Sequence, residues 1–191
     1  MTSLKFHPTS DILTDSIVPA NSSGNAIGGS FFAFTGMRKS FYEFPPNFTV
    51  TKATVKEFPA LDGQSVSYAL IKYPAASINP PHTHPRSAEL LFVVDGILNV
   101  GFVDNTNKLY TQTLQLGDIF VFPKGMVHYQ SNDDPKKPAA AIAAFCSANA
   151  GTVSVPLSVF ATGIDDVVLA KAFKTDVATI KKLKAGLAWQ A

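Results

Sequence analysis

Short segments rich in hydrophobic and β-branched residues alternate with turn-forming residues along most of the chain. Such segments are typical of β-strands, and Asp62-Gly63 and Asp95-Gly96 are typical of the turns between them. Nine strands are predicted on this basis, over residues 31–34, 49–58, 66–73, 90–94, 97–103, 109–114, 119–122, 127–131 and 139–145. Many short strands with frequent turns predict an all-β protein, and a double-sheet jelly roll is the architecture that this pattern favours.

The pattern changes to helical spacing in the C-terminal part of the chain. Asp165 can cap one helix that continues to Phe173, and Thr175 or Asp176 can cap a second helix that ends near Gly186. The second helix carries an apolar stripe at three-to-four spacing, formed by Val177, Ile180, Leu183 and Leu187. This stripe requires a partner, which is either the chain's own sheet or a neighbouring protomer.

We divide the chain into three parts that together form a single domain. Residues 1–40 are predicted to form an N-terminal arm, rich in Ser, Asn, Gly and Pro over its first thirty positions. Residues 41–160 are predicted to form the β-barrel, and residues 161–191 a C-terminal helical extension. A length of 191 residues suits one domain with one core of useful size.

Composition and charge exclude several classes of protein. Hydrophobic residues make up 46% of the chain and charged residues 16%, which is typical of a globular protein and not of a disordered one. A formal net charge of +2 gives no basic surface for nucleic acid. No apolar run approaches the ~18 residues that a membrane span needs. The only cysteine, Cys146, cannot form an internal disulfide and is predicted to be a small buried hydrophobic residue.

Three of the four histidines lie in two short stretches that together predict a metal site. Successive side chains of a strand point to opposite faces, so His82 and His84 point the same way, and Glu89 follows on a strand that can fold back beside them. His128 arrives from a separate strand after a Pro-x-Gly turn. Three imidazoles and one carboxylate suit a divalent Mn, Fe, Co, Ni or Zn ion. They leave coordination positions open for water, a substrate or an anion. His7 lies apart and is predicted to be an ordinary exposed residue.

The spacing of these residues also carries a family resemblance. The pattern H-x-H-x4-E-x6-G, which begins at His82, and the pattern G-x5-P-x-G-x2-H-x3-N, which begins at Gly117, resemble the two cupin motifs. The segment N-P-P-H-x-H-P-R, which begins at Asn79, resembles the germin box. Over residues 41–187 the chain therefore resembles the germin-like proteins of the cupin superfamily.

The resemblance implies a fold, a cofactor and a choice of activities. The fold it implies is a cupin double-stranded β-helix, a jelly-roll barrel, with short C-terminal α-helices. It implies manganese(II) held by His82, His84, Glu89 and His128, and either superoxide dismutation or oxalate oxidation as the activity, with no catalytic residue assigned beyond the metal centre. It also implies a homo-oligomer, a dimer or three dimers, with the terminal helices at the contacts.

Several positions depart from the germin pattern. Asn79 matches one asparagine of the oxalate pocket and is a candidate substrate contact, but Ala69 stands where a second asparagine is expected. Loss of an amide donor from a buried anion site costs roughly 1–3 kcal/mol, so oxalate is predicted to be a poor substrate. Ala76 replaces the glycine that opens the first cupin motif, and the chain lacks the N-terminal cysteine pair of plant germins. These departures leave a spherulin-type branch open.

The predicted function is that of a secreted manganese oxidoreductase that acts on superoxide. Two alternatives stay open: a non-catalytic metal-binding protein with a storage, structural or ligand-binding role, and a metal-dependent lyase or isomerase acting on a small organic acid. The segment after Met1 lacks the apolar region of a signal peptide, so secretion is expected from the resemblance, with a cytoplasmic location as the alternative. Tripeptides at Asn21 and Asn47 permit N-glycosylation.

Overall fold

The protein folds as two antiparallel β-sheets packed face to face, with helices after the last strand. The computed structural model describes residues 27–187. The first sheet has the strand order β1-β2-β9-β4-β7, and the second sheet has the order β10-β3-β8-β5-β6. The predicted jelly-roll architecture, with helices at the C-terminal end, is confirmed.

Ten strands are described between residues 27 and 187, and five of them belong to each sheet. Their bounds are Thr49–Ala53 (β1), Ser67–Tyr73 (β2), Ser77–Thr83 (β3), Glu89–Asp95 (β4), Ile97–Val103 (β5), Leu109–Gln115 (β6), Ile119–Phe122 (β7), Val127–Asn132 (β8), Ala139–Phe145 (β9) and Val153–Ser154 (β10).

The core lies between the inner faces of the two sheets. In β4, Leu91 and Val93 are fully buried, whereas Leu90 and Phe92 point outward, as the twofold period of a strand requires. Aromatic and aliphatic side chains from both sheets fill the space between them, and β9 contributes mainly alanines. The principal members of this core are Ile71, Tyr73, Leu91, Val93, Leu98, Val100, Leu114, Phe122, Ala141 and Phe145.

Two predicted strands differ from the observed elements, and two observed strands, β3 and β10, were not predicted. Residues 31 and 32 of the first predicted strand belong to a 3-10 helix over Gly29–Phe32, and residues 33 and 34 follow it without regular structure. β1 ends at Ala53 and not at residue 58, because the Thr54 backbone N–H and hydroxyl both donate to the Glu57 carboxylate in a tight turn. β3 was not predicted, since its two adjacent prolines mask the strand pattern.

The two C-terminal helices have the predicted N-caps. The apolar stripe of the second helix packs in part against neighbouring helices of the same chain. α1 (Arg38–Tyr42) and α2 (Val155–Phe160) were not predicted, whereas α3 (Asp166–Ala172) and α4 (Val177–Leu187) were. Asp165 accepts hydrogen bonds from the first turn of α3, and Asp176 accepts one from the first turn of α4. Ile180 of the stripe is fully buried against α2 and α3, but Leu183 remains 44% exposed.

The prediction that Cys146 is buried is wrong, because the cysteine is exposed. β9 ends at Phe145, whose side chain points inward, and the chain leaves the sheet at the next residue. The N-terminal arm up to residue 26, including His7 and Asn21, lies outside the described residues. The three-part division of the domain stays a prediction. Within residues 27–187, every helix is too short or too polar to cross a bilayer.

Candidate metal centre

Four buried side chains meet inside the barrel. His82, His84, Glu89 and His128 each offer one nitrogen or oxygen atom, and these four atoms all lie within 4.8 Å of one another. The structure thus brings together all four residues that the sequence predicts as ligands. The imidazole rings pack closely, with the His82 and His128 ring centroids 4.1 Å apart.

Both sheets and one loop supply the cluster. His82 on β3 lies directly opposite His128 on β8 in the second sheet, and Glu89 begins β4 in the first sheet. His84 follows the end of β3, in the short loop that crosses from one sheet to the other. The register of β3 against β8 shifts between Asn79 and His82, where two prolines lack the N–H groups of a regular ladder. This irregularity turns the histidines into the barrel.

A backbone carbonyl fixes the orientation of each imidazole. Nδ1 of His82 lies 2.8 Å from the Pro80 carbonyl oxygen, and Nδ1 of His128 lies 2.9 Å from that of Met126. Nδ1 of His84 contacts the Gly151 carbonyl oxygen in the same way. A carbonyl oxygen can only accept, so each Nδ1 must carry the proton, and Nε2 of the neutral ring is left as a lone pair. All three rings are therefore in the tautomer that suits metal binding through Nε2.

The contacts of Glu89 fit a cation at the centre. One carboxylate oxygen lies 2.9 Å from Nε2 of His84 and 3.3 Å from Nε2 of His128. In the neutral tautomer these nitrogens are acceptors that face another acceptor, which is unfavourable unless a positive charge lies between them. A divalent ion ligated by imidazole nitrogens and a carboxylate oxygen meets this requirement, so the residues present fit a metal.

Burial and contact between the groups shift two pKa values downward. Burial, and then the neighbouring His128 imidazole, lower the pKa of His82 from 6.5 to about 4, so the ring stays neutral near neutral pH. In the metal-free cluster burial would raise the pKa of Glu89, but an imidazole of His128 or His84 that also carries a proton on Nε2 donates to the carboxylate and holds its pKa at about 2. The cluster thus combines a neutral His82 ring with an ionised carboxylate, which are the forms that bind a metal.

A fully buried amide connects the cluster to the adjacent cavity. The Gln130 Nε2 donates to the second oxygen of Glu89 at 3.2 Å, while its Oε1 accepts from Asn79 Nδ2 at 2.6 Å and from the Tyr73 hydroxyl at 3.3 Å. Two donors on Oε1 fix which way the amide faces. Gln130 was not among the predicted site residues, although it lies two residues after His128 and so shares its face of β8.

A cavity of about 140 Å³ opens beside the cluster. Asn79, the candidate substrate contact, lines it, and one of the two N–H groups of its amide is donated to Gln130. Ala69 lines the same wall and is almost fully buried. The loop after β9 closes another side, where Arg86 donates to the Asn149 carbonyl oxygen at 2.7 Å. This loop contact joins residues far apart in sequence, so no local pattern could have revealed it.

Aromatic rings shield the histidines from water. Phe122 stacks on His128 with ring centroids 4.4 Å apart, and Phe145 meets the edge of His84 at 4.8 Å. Both phenylalanines are buried in the main core. A site walled by apolar rings strengthens electrostatic interactions inside it, because water cannot screen them.

Known proteins are similar to this chain in sequence. Residues 44–181 match the Cupin family. Germin-like protein 9-3 of Oryza sativa subsp. japonica is 65% identical over 183 residues, which cover 93% of this chain and 85% of that protein. Germin-like protein subfamily 2 member 2 of Arabidopsis thaliana is 38% identical, over 93% of this chain and 87% of the relative.

Solved structures of oxalate oxidase are also similar. One has a TM-score of 0.84 at 30% identity and covers 95% of this chain and 98% of its own. A second, a recombinant oxalate oxidase in complex with glycolate, has a TM-score of 0.83 at 30% identity with the same coverage. The plant relatives favour the germin-like interpretation over the spherulin-type branch. The chain belongs to the germin-like proteins of the cupin family.

Proposed function

We propose that His82, His84, Glu89 and His128 together hold one manganese(II) ion. The proposal is supported by the three Nε2 lone pairs and the ionised carboxylate that converge on one buried point. The donor set alone would equally accept Fe, Zn, Co or Ni, so the choice of manganese rests on family membership.

We infer that the protein is a manganese oxidoreductase whose preferred substrate is superoxide. The observation that carries this inference is a buried cluster of three imidazoles and one carboxylate beside a small cavity. A bound manganese would supply one-electron redox chemistry at this point. The residues of the chain hold the donor atoms in place, exclude bulk water with Phe122 and Phe145, and admit a small anion through the cavity.

Oxalate is expected to be a poor substrate of this site. Ala69 offers no amide to a second carboxylate, and one N–H of the Asn79 amide is engaged with Gln130. The Ala69→Asn variant would restore the missing donor, and a gain in peroxide release from oxalate would measure its effect. Brisk peroxide release by the unaltered manganese-loaded protein would contradict this expectation.

Superoxide turnover by the metal-loaded protein tests the proposed activity. We expect turnover that is lost on chelation, restored by manganese, and absent from a Glu89→Gln variant that no longer retains the ion. Metal content, measured in the same samples by elemental analysis, separates loss of the ion from loss of activity. Stoichiometric manganese without turnover would instead favour a non-catalytic metal-binding protein, and turnover of a small organic acid without oxidation would favour a lyase or isomerase.

We further propose a secreted homo-oligomer that binds a small substrate or anion at the metal. Oxalate oxidase is similar in structure and has been solved with glycolate, which supports a small anionic ligand for this cavity as well. The sequon residue Asn47 lies exposed before β1, which supports its glycosylation in a secreted protein. Exposed apolar side chains on α3 and α4 support association of chains.

A further inference from the structure

The cavity beside the metal cluster has a cation in its wall. Lys52 on β1 lines it together with Val50, and the remaining side chains of the wall are neutral apart from the cluster itself. Lys52 lies directly opposite Ala69 in the register of β1 and β2, so the lysine stands beside the alanine that replaces the second asparagine of the oxalate pocket.

Among the residues that the structure describes, no other side chain engages the Lys52 ammonium. None of the ion pairs and none of the side-chain hydrogen bonds found within residues 27–187 involves Lys52. Lys72 of β2, in contrast, donates to the Phe41 carbonyl oxygen at 3.0 Å, and Lys184 forms an ion pair with Asp166. Lys52 is exposed at the edge of the cavity, so its ammonium attracts an anion and water screens part of this attraction.

The strand order places Lys52 at a distance from the metal ligands. β1 lies at the edge of the first sheet, three strands away from β4, which carries Glu89. Strand spacing of about 4.8 Å puts the two backbones roughly 14 Å apart along the sheet, and the flexible lysine stem spans part of this distance. An engineered apolar cavity of about 150 Å³ admits benzene, so the comparable volume here has room for a small organic molecule.

We propose that Lys52 determines the anion specificity of the cavity and selects a small dicarboxylate longer than oxalate. One carboxylate faces the metal cluster and the other faces the Lys52 ammonium, while Ala69 and Ile71 contact the carbon chain between them. This assignment rests on the proposed metal site, since the first carboxylate needs the positive charge of the ion.

Calorimetric titration of the manganese-loaded protein with succinate and with butyrate tests the proposal. The two probes have the same number of carbon atoms and differ in the second carboxylate. We expect succinate to bind more tightly than butyrate, and Lys52→Met to weaken succinate binding by about threefold to tenfold while leaving butyrate binding unchanged. Lys52→Arg should retain most of the preference. Lys56→Met is the matched control, because Lys56 is an exposed lysine that does not line the cavity.

Metal content separates failure of this proposal from failure of the metal site. Each variant is first titrated with manganese, and Lys52→Met is expected to bind the ion as the unaltered protein does. Unchanged succinate affinity in Lys52→Met, or an equal loss in Lys56→Met, would overturn the role of Lys52 while leaving the metal site intact. Absence of a succinate preference in the unaltered protein would also overturn it, and absence of any bound divalent ion would overturn both proposals.

Discussion

At the scale of single residues, the cluster depends on hydrogen bonds as much as on the ligands themselves. Each imidazole donates its Nδ1 proton to a carbonyl oxygen. Gln130 donates to Oε1 of Glu89. The other carboxylate oxygen, Oε2, therefore faces the histidines. Such outer partners orient metal ligands and are commonly as sensitive to mutation as the ligands are.

Replacement of Gln130 by methionine should weaken manganese binding while the barrel still folds. Methionine fills a similar volume but cannot donate to Glu89 or accept from Asn79, so the carboxylate loses its fixed orientation. We expect a loss of affinity of about 10- to 100-fold, measured by competition with a chelator. Gln115→Met, at an exposed position on β6, is the control. Equal affinities in the two variants would contradict a positioning role for Gln130.

The metal-free protein should lose stability as the pH falls below about 6.5. The pKa of His82 is about 4 in the folded chain and 6.5 when unperturbed, so between these values the unfolded chain binds a proton that the folded chain does not. Stability is therefore fully present above the unperturbed pKa and falls toward pH 4, by roughly 2 kcal/mol at about pH 5. The lowered pKa of Glu89 extends the loss in the same direction below its ordinary value of 4.5.

Urea unfolding of chelator-treated protein at about pH 7 and pH 5 measures this dependence. A His82→Gln variant, which cannot titrate at that position, should lose less stability between the two conditions. Identical losses in the variant and in the unaltered protein would assign the pH dependence to other groups.

The ligands could be predicted from sequence because strand geometry is local. His82 and His84 are two residues apart, and Gln130 follows His128 by the same interval, so shared faces follow from the period of a strand. The hydrogen-bond partner of His84 could not be predicted, since the Gly151 carbonyl lies 67 residues away and depends on how the loop after β9 returns. The exposure of Cys146 likewise depends on where β9 ends.

At the scale of elements, turns and caps were predictable where side-chain chemistry dictates them. Asp165 caps α3 as expected, because its carboxylate accepts from the backbone N–H groups of Val167 and Val168. β3 was not predicted because Pro80 and Pro81 interrupt its pattern, and the segment is a strand because it pairs with β8 and β10.

Two turn positions, Ala76 and Gly96, should respond in opposite ways to a change of residue. Ala76 has φ +53°, a left-handed conformation that is unfavourable for alanine, so Ala76→Gly relieves strain and should change stability by only about 1 kcal/mol, in the stabilising direction. Gly96 has φ +71°, and an added Cβ would lie 2.7 Å from the Pro138 carbonyl oxygen. Gly96→Ala should therefore destabilise by roughly 2 kcal/mol or more.

Thermal unfolding of the variants measures both effects, and Gly117→Ala provides the comparison. Gly117 also has a positive φ, of +95°, but nothing lies within 4 Å of the position that an added Cβ would take, so its substitution reports conformational strain without a clash. A loss in Gly96→Ala no larger than that in Gly117→Ala would show that small movements absorb the contact with Pro138.

At the scale of the whole molecule, the C-terminal helices have more apolar surface than the other residues between 27 and 187 cover. Ile180 packs into a small core with Leu169 and Ala170, which accounts for part of the predicted stripe. Val168 and Leu183 nevertheless stay exposed, at 57% and 44%. Large exposed apolar groups that cluster on adjacent helices are typical of surfaces that bind another protein chain.

The assembly of the protein should therefore depend on these exposed side chains and not on Ile180. We expect light scattering of the intact protein to give a mass several times the 20.4 kDa of one chain. Burial of apolar surface contributes about 25 cal/mol for each Å², so Leu183→Glu and Val168→Glu should lower the mass without unfolding the barrel. Lys181→Glu, on an exposed position of the same helix, should leave the mass unchanged. A mass of one chain for the unaltered protein would mean that the small core around Ile180 satisfies the helices without a partner.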